Sequence, residues 1–315
     1  MPGIPACARA LRQALAVGVG SREPAEIRTL DDERRLDRRF RARGPLLNRI
    51  ITRRIRKWFA IKGEPLPSLA ARDDAVRSER QRELAAALDP ADGRALWTDA
   101  QLARLAAFVR GEISRRDAAV TVQEIVGKLF YADYRADGES WQAAELIDRF
   151  RDGFSPEQIL WQISGKLRRA RDLLVARARQ DRWAMHGTAI GVHGIVHALD
   201  RMRDLRGASE AASLDEDAVT GRCLAPPKQV PRTVEAMLST PLAARRLPPG
   251  TLVMLQLGTA GERAPDAETV FMHGHWNACP AQAFVTALVR AVWRGSSKED
   301  GPDERGHHLH AVAVP

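Results

Sequence analysis

The chain has 315 residues, 44% hydrophobic, 5% aromatic and 28% charged, so it is long enough to bury a sizeable core and too apolar to be a disordered chain. Cys7, Cys223 and Cys279 are irregularly spaced with no CxxC pair, which excludes a disulfide framework and a zinc ribbon. The formal net charge of +9 favours an anionic partner, whether nucleic acid, anionic lipid or an acidic protein, without choosing among them.

The first apolar stretch, ALAVGVG at 14–20, has no small-residue cleavage site after it, and no apolar run approaches the roughly 18 residues that span a bilayer. The chain therefore reads as soluble and cytoplasmic, without a transmembrane anchor. Residues 33–62 carry twelve Arg and Lys, with Ile51, Ile55, Trp58 and Phe59 at helical spacing opposite Arg49, Arg53, Arg54, Arg56 and Lys57. That pattern predicts an amphipathic basic helix, docked on the protein's own core or held against an anionic surface. No nucleic-acid motif accompanies it, so no nucleic-acid partner is expected.

KGEPLP at 62–67 reads as a turn or linker. Apolar periodicity then predicts helices over 73–88, 98–116, 120–131, 139–153 and 156–206, separated by turns at 89–93 and 135–138. Asp99 with Leu102, and Ser155 before Pro156 and Gln158, mark helix starts, and Ser213 with Glu216 reads as a capping box. Strand signals are concentrated late, giving a mainly α chain with small β elements (α+β). The polar run from 295 to 308 reads as a disordered tail, so the organisation is a basic extension (1–62), a main domain (63–294) and a tail (295–315).

The stretch VFMHGHWNACPAQAFVTALVRAVW (270–293) places Cys279 before Pro280, which suits the first turn of a helix, and Phe284, Leu288 and Val292 form that helix's apolar stripe. A cysteine at a helix N-terminus is poised as a thiolate, the form that binds metal or attacks electrophiles. Gly274 would let the backbone approach a flat cofactor. Upstream lie Arg222, Pro226-Pro227, the phrase VPRTV with Arg232, and RRLPPGTLVMLQL, read as a hairpin turning at Pro248-Pro249-Gly250 with its second strand at 251–257.

In this order the features resemble the C-terminal third of the cytochrome P-450s, the haem-thiolate monooxygenases, over residues 184–293. The resemblance implies a shortened P-450-like helical fold binding haem b, with Cys279 as the axial iron ligand, Arg232 paired with a haem propionate, and Gly274 beside the cofactor. His275 or Asn277 would fill the polar position before the cysteine. Thr188, after Gly187, would relay protons to bound oxygen from the helix that crosses the haem. A small apolar organic substrate, and a ferredoxin-type electron donor if the chemistry is monooxygenation, follow from the same resemblance.

The chain departs from the family pattern at definite places. The Phe271 to Cys279 loop is one residue longer, Met272 replaces a glycine, and Val219 stands where Glu-x-x-Arg requires a glutamate before Arg222. These departures leave a second expectation, a catalytically inactive P-450-like scaffold engaging an acidic partner or membrane surface. His186, His193 and His197, at i, i+7 and i+11, would share one face of a continuous helix and could instead bind a transition metal or haem.

Overall fold

The computed structural model describes residues 16–19, 36–37, 59–67, 75–92, 95–152, 156–208, 214–225, 230–234, 252–255, 270–271 and 278–297. Its strands are β1 (Ala16–Val19), β2 (Leu36–Asp37), β3 (Ala60–Ile61), β4 (Glu64–Pro65), β5 (Val230–Val234) and β6 (Leu252–Leu255). Its helices are α1 (Ala75–Ala87), α2 (Asp99–Arg110), α3 (Arg115–Lys128), α4 (Gly138–Asp152), α5 (Pro156–Ile163), α6 (Lys166–Arg177), α7 (Arg182–His186), α8 (Val192–Arg206), α9 (Glu216–Cys223) and α10 (Gln282–Ser297). A π turn, Gly187–Gly191, joins α7 to α8.

The sheet joins the two ends of the chain. β6 lies between β1, its parallel partner with Ala16 opposite Leu252, and β5, its antiparallel partner with Thr233 opposite Leu252; β2 pairs with the outer side of β5. The stretch around Val17 thus supplies a strand, where strand signals were expected only late; four residues are too few to show an alternating pattern. KGEPLP is the turn and second strand of the β3–β4 hairpin, with Lys62 and Gly63 at positive φ. The described end of the expected basic helix is the turn and strand at 59–61, and most of the rest lies outside the described residues, as does the hairpin turn at 248–250; of the expected tail at 295–315, residues 295–297 instead complete α10 and 298–315 lie outside the described residues.

Local chemistry explains where the long predicted helices divide. Gly111 adopts φ 88°, the left-handed region that closes α2, and the expected helix over 98–116 ends there. Ser114 then accepts the Asp117 N–H and starts α3. The segment 156–206 divides at Gly165 and again at Arg179 and Gln180, both at positive φ, before Asp181 caps α7 through the Trp183 and Ala184 N–H groups. α2 begins on a capping box between Thr98 and Gln101, one residue earlier than expected. α9 is capped by Asp215, whose carboxylate accepts the Ala218 N–H; Ser213 lies outside the described residues.

Two apolar clusters form the core. The larger is built by α2, α3, α8, α9 and α10, with Leu105, Phe108, Val122, Ile125, Leu199, Phe284, Leu288 and Val292 nearly inaccessible. The smaller gathers β3, α4, α6 and α7 around Leu66, Ile147, Leu167 and Leu174. α4 serves both, with Trp141 and Ala144 in the first and Ala143, Leu146 and Ile147 in the second. α10 carries the stripe read from the sequence, and Phe284 meets the Trp97 ring at a 5.8 Å centroid distance. Among the described residues, no helix is long and apolar enough to cross a membrane.

A charged cluster ties α3, α4 and α8 at the surface. Arg115 Nε lies 3.1 and 3.0 Å from the two oxygens of Asp200, its Nη1 is 3.6 Å from Glu145 Oε1, and His197 Nδ1 is 3.6 Å from Asp200. Burial pushes the Asp200 carboxyl up, but the hydrogen bonds and charges of His197 and Arg115 outweigh it and hold the group below its usual range.

Phe284→Ala should destabilise the fold by about 3–5 kcal/mol, the cost of a deleted buried ring, read as a lower urea midpoint. Because the folded-state pKa of Asp200 is depressed, its stabilisation is present above the ordinary carboxylate range and is lost as pH falls through the folded value. Asp200→Asn should therefore lower Tm near neutral pH and flatten its decline down to about pH 3, measured by thermal melts across that window.

Candidate functional site

The stretch that closes the described chain is anchored at both ends. The Cys279 N–H donates to the Phe271 carbonyl at 2.8 Å, drawing the two ends of the intervening loop together, and Phe271 is buried in the larger core. Cys279 itself is exposed. Pro280 and Ala281 form a turn, and α10 starts at Gln282, so the cysteine precedes the first helical residue by three positions. The dipole of α10 therefore acts on the thiol from beyond its first turn, more weakly than the sequence implied, since the effect falls off within one turn.

A second helix docks on this loop. Gln81 of α1 donates its Nε2 to the Ala278 carbonyl, and its Oε1 accepts from Arg77 Nη2 at 2.9 Å. Arg77 is 2% exposed, a buried guanidinium one turn from a residue that touches the backbone beside the cysteine. Neither residue was singled out from the sequence. α1 is polar on most sides, and the sole signal was an Arg and a Gln at i, i+4, a spacing that neighbouring residues of this helix share.

The other described cysteine is chemically distinct. Cys223, at the end of α9, is 1% exposed, and burial pushes its thiol up to about 11, the charge of Arg201 offsetting this only in part. Thiolate chemistry near neutral pH is thereby disfavoured at Cys223.

The long helix carries the remaining candidates. Thr188 is fully buried, and its hydroxyl donates to the Ala184 carbonyl at 2.7 Å. The Tyr134 hydroxyl is buried nearby; burial pushes it up, and the Thr188 side chain and the Arg177 charge oppose the shift. The π turn lies between His186 and the other two histidines, and its inserted residue rotates everything after it by roughly 100° relative to a continuous helix. His193 is buried against Trp141, with ring centroids 4.9 Å apart, while His197, one turn further along the same helix, faces solvent beside Asp200. Among the described residues, no group of three or more His, Cys, Asp or Glu could hold a metal ion.

Arg232 occupies β5 opposite Val253. Gly274, His275 and Asn277 lie outside the described residues. Arg222 is exposed on α9, and the carboxylates of that helix cross to α10, where Glu216 lies 3.0 Å from Arg294 Nε and Asp217 pairs with Arg290. The departure from Glu-x-x-Arg is thus accompanied by two interhelical ion pairs in its neighbourhood.

A haem needs an accessible thiolate for its iron and cations for its carboxylates. The exposed Cys279 thiol fits the first need, whereas Arg77, 2% exposed and bonded to Gln81, is enclosed by protein and does not present its charge to an incoming carboxylate. Alkylation followed by mass spectrometry near pH 8 should modify Cys279 readily, with Cys223 on the order of 100-fold slower until the chain is unfolded.

No protein-family model and no curated protein matches the chain. Solved structures do match. The cytochrome P450 enzyme CxnD, for C–S bond formation in chuangxinmycin biosynthesis, aligns with a TM-score of 0.55 at 10% identity, over 93% of this chain and 85% of that one. CYP105D6 aligns with a TM-score of 0.49 at 13% identity, over 88% and 79% of the two chains. CYP175A1 from Thermus thermophilus gives 0.47 at 16% identity, over 88% and 80%. With its mainly helical architecture and few small strands, the chain has a cytochrome P450-like fold.

Proposed function

We propose that this chain is a haem-thiolate monooxygenase or peroxygenase that oxidises an apolar organic substrate, with Cys279 as the axial ligand of haem b. The observation that carries this reading is the exposed Cys279 at the head of α10, joined to Phe271 and flanked by the Gln81 contact to Ala278, in a chain with a cytochrome P450-like fold.

When bound, the haem supplies oxygen activation, to which a thiolate ligand contributes electron density that favours O–O cleavage. The chain's own residues bind and orient it. Cys279 Sγ is the iron donor, and the backbone bond to Phe271 fixes where the loop presents it. Arg232 is the cation assigned to a haem carboxylate, a task suited to a rigid, permanently charged guanidinium. Gly274 would let the loop approach the ring closely, and His275 or Asn277 would fill the polar position before the cysteine. Thr188 is the assigned proton relay: its Oγ–H is directed at the Ala184 carbonyl, its oxygen retains the capacity to accept, and the neighbouring Tyr134 hydroxyl keeps its proton across the neutral range. If the oxidant is oxygen rather than peroxide, a ferredoxin-type donor supplies the electrons, and the net charge of +9 would speed encounter with such an acidic partner.

A second reading is favoured by one observation. The α9 carboxylates pair with Arg290 and Arg294 of α10, in the region where the family pattern has Glu-x-x-Arg. On that reading the chain is an inactive P450-like scaffold that binds an acidic surface.

The deciding measurement is the absorption spectrum of the reduced, carbon-monoxide-bound protein purified after expression with haem supply. A thiolate-type red-shifted band, lost in Cys279→Ala, is the expected result. Protein that takes up no haem would replace this reading with the scaffold, and a thiolate band that survives in Cys279→Ala would remove Cys279 as the ligand.

A further inference from the structure

At the C-terminal end of the π turn, the Val192 N–H bonds the Gly187 carbonyl, five residues back. In an α-helix that N–H would serve the Thr188 carbonyl, four residues back. The Thr188 carbonyl instead accepts from Gln123 Nε2 of α3, at 3.0 Å. Gln123 is fully buried and its other bonds hold its carboxamide in one orientation: Nε2 also donates to the Ser140 carbonyl at 3.2 Å, and Oε1 accepts the Ser140 hydroxyl at 2.7 Å. Ser140 Oγ in turn accepts the Asp137 N–H at 3.0 Å, at the start of α4. A buried carboxamide placed this way costs stability unless its donors and acceptor are matched, and here they are.

We infer that Gln123 is a positioning residue that replaces the helical donor withdrawn from the Thr188 carbonyl and so holds the π turn open. The turn sets how far α8 is rotated relative to α7, and Thr188 lies within it. A chain without Gln123 would leave a buried carbonyl unserved, a defect relieved by closing the turn to α geometry or by fraying it. Either change would turn the Thr188 and Ile190 side chains relative to the rest of the site. The consequence for the cofactor rests on the haem-thiolate reading above; the consequence for the helix does not.

The test compares the full-length wild type with Gln123→Met, which keeps the volume and removes both donors, and with Ser140→Ala, which removes the carboxamide's orienting partner. Backbone hydrogen exchange read by mass spectrometry should be about tenfold faster over 186–193 in Gln123→Met, as for the loss of one net hydrogen bond, with α10 unchanged. Ser140→Ala should accelerate the same segment by a smaller factor. In haem-loaded protein, Gln123→Met should shift the resting absorption band and keep the thiolate-type carbon-monoxide band.

Exchange over 186–193 that is unchanged, or that rises equally in α10, overturns the clamp. Should Gln123→Met fail to fold, Ser140→Ala decides between the same two outcomes. A locally loosened turn with an unshifted band keeps the clamp and severs its link to the haem. Wild-type protein without haem removes the cofactor reading alone, because the exchange measurement needs none.

Discussion

One extra residue in the long helix is the constraint on which the rest of the molecule depends. Before the π turn, Ala184 and Met185 belong to the smaller core; after it, Val192, Ile195, Val196 and Leu199 belong to the larger. The extra residue resets the rotation between these stretches, so one nearly continuous helix can press apolar side chains into two clusters that α4 also joins. The arrangement is stabilised by polar chemistry as well as apolar burial. Gln123 and Ser140 supply fully buried hydrogen bonds where regular helix geometry fails, and Asp181 supplies a cap at the start of α7.

The same economy is visible around Cys279. Its loop is fastened by a backbone bond to Phe271 and by a side-chain bond from Gln81, while the apolar stripe of α10 seats the following helix in the core. These polar contacts lie on the margin of a well-packed frame. Arg77 is the exception, a cation taken into the interior, where burial is costly unless hydrogen bonds such as the one to Gln81 serve the charge.

Much of the frame was legible in the sequence because it rests on periodicity. The α10 stripe of Phe284, Leu288 and Val292, and the start of α5 at Pro156, follow from spacing and from proline's fit to a first turn. What escaped were events that periodicity does not encode. The divisions at Gly111, Gly165 and Arg179-Gln180 depend on single residues entering the left-handed region. β1 and β2 are too short to register, and their partners lie more than 190 residues away. The setting of Cys279 between a loop and a helix was legible because it is local, whereas the contact of Gln81 with its loop, and of Arg77 with Gln81, was not, since only tertiary packing brings α1 there. The histidines show the reverse error: a π turn intervenes between His186 and the other two, and on the regular helix that follows, His193 is buried against Trp141 while His197 lies at the surface.

Gly187 bears on how such a chain should be read. A methyl group at this position would lie 3.2 Å from both Phe130 and Val126, so α3 and the π turn meet at a distance that only a bare backbone readily allows. That demand comes from helix contact and would persist unaltered if the chain had no reaction to perform. A glycine beside the Thr188 motif is therefore a signature of architecture, and its presence in a sequence carries no vote on whether the protein is an enzyme.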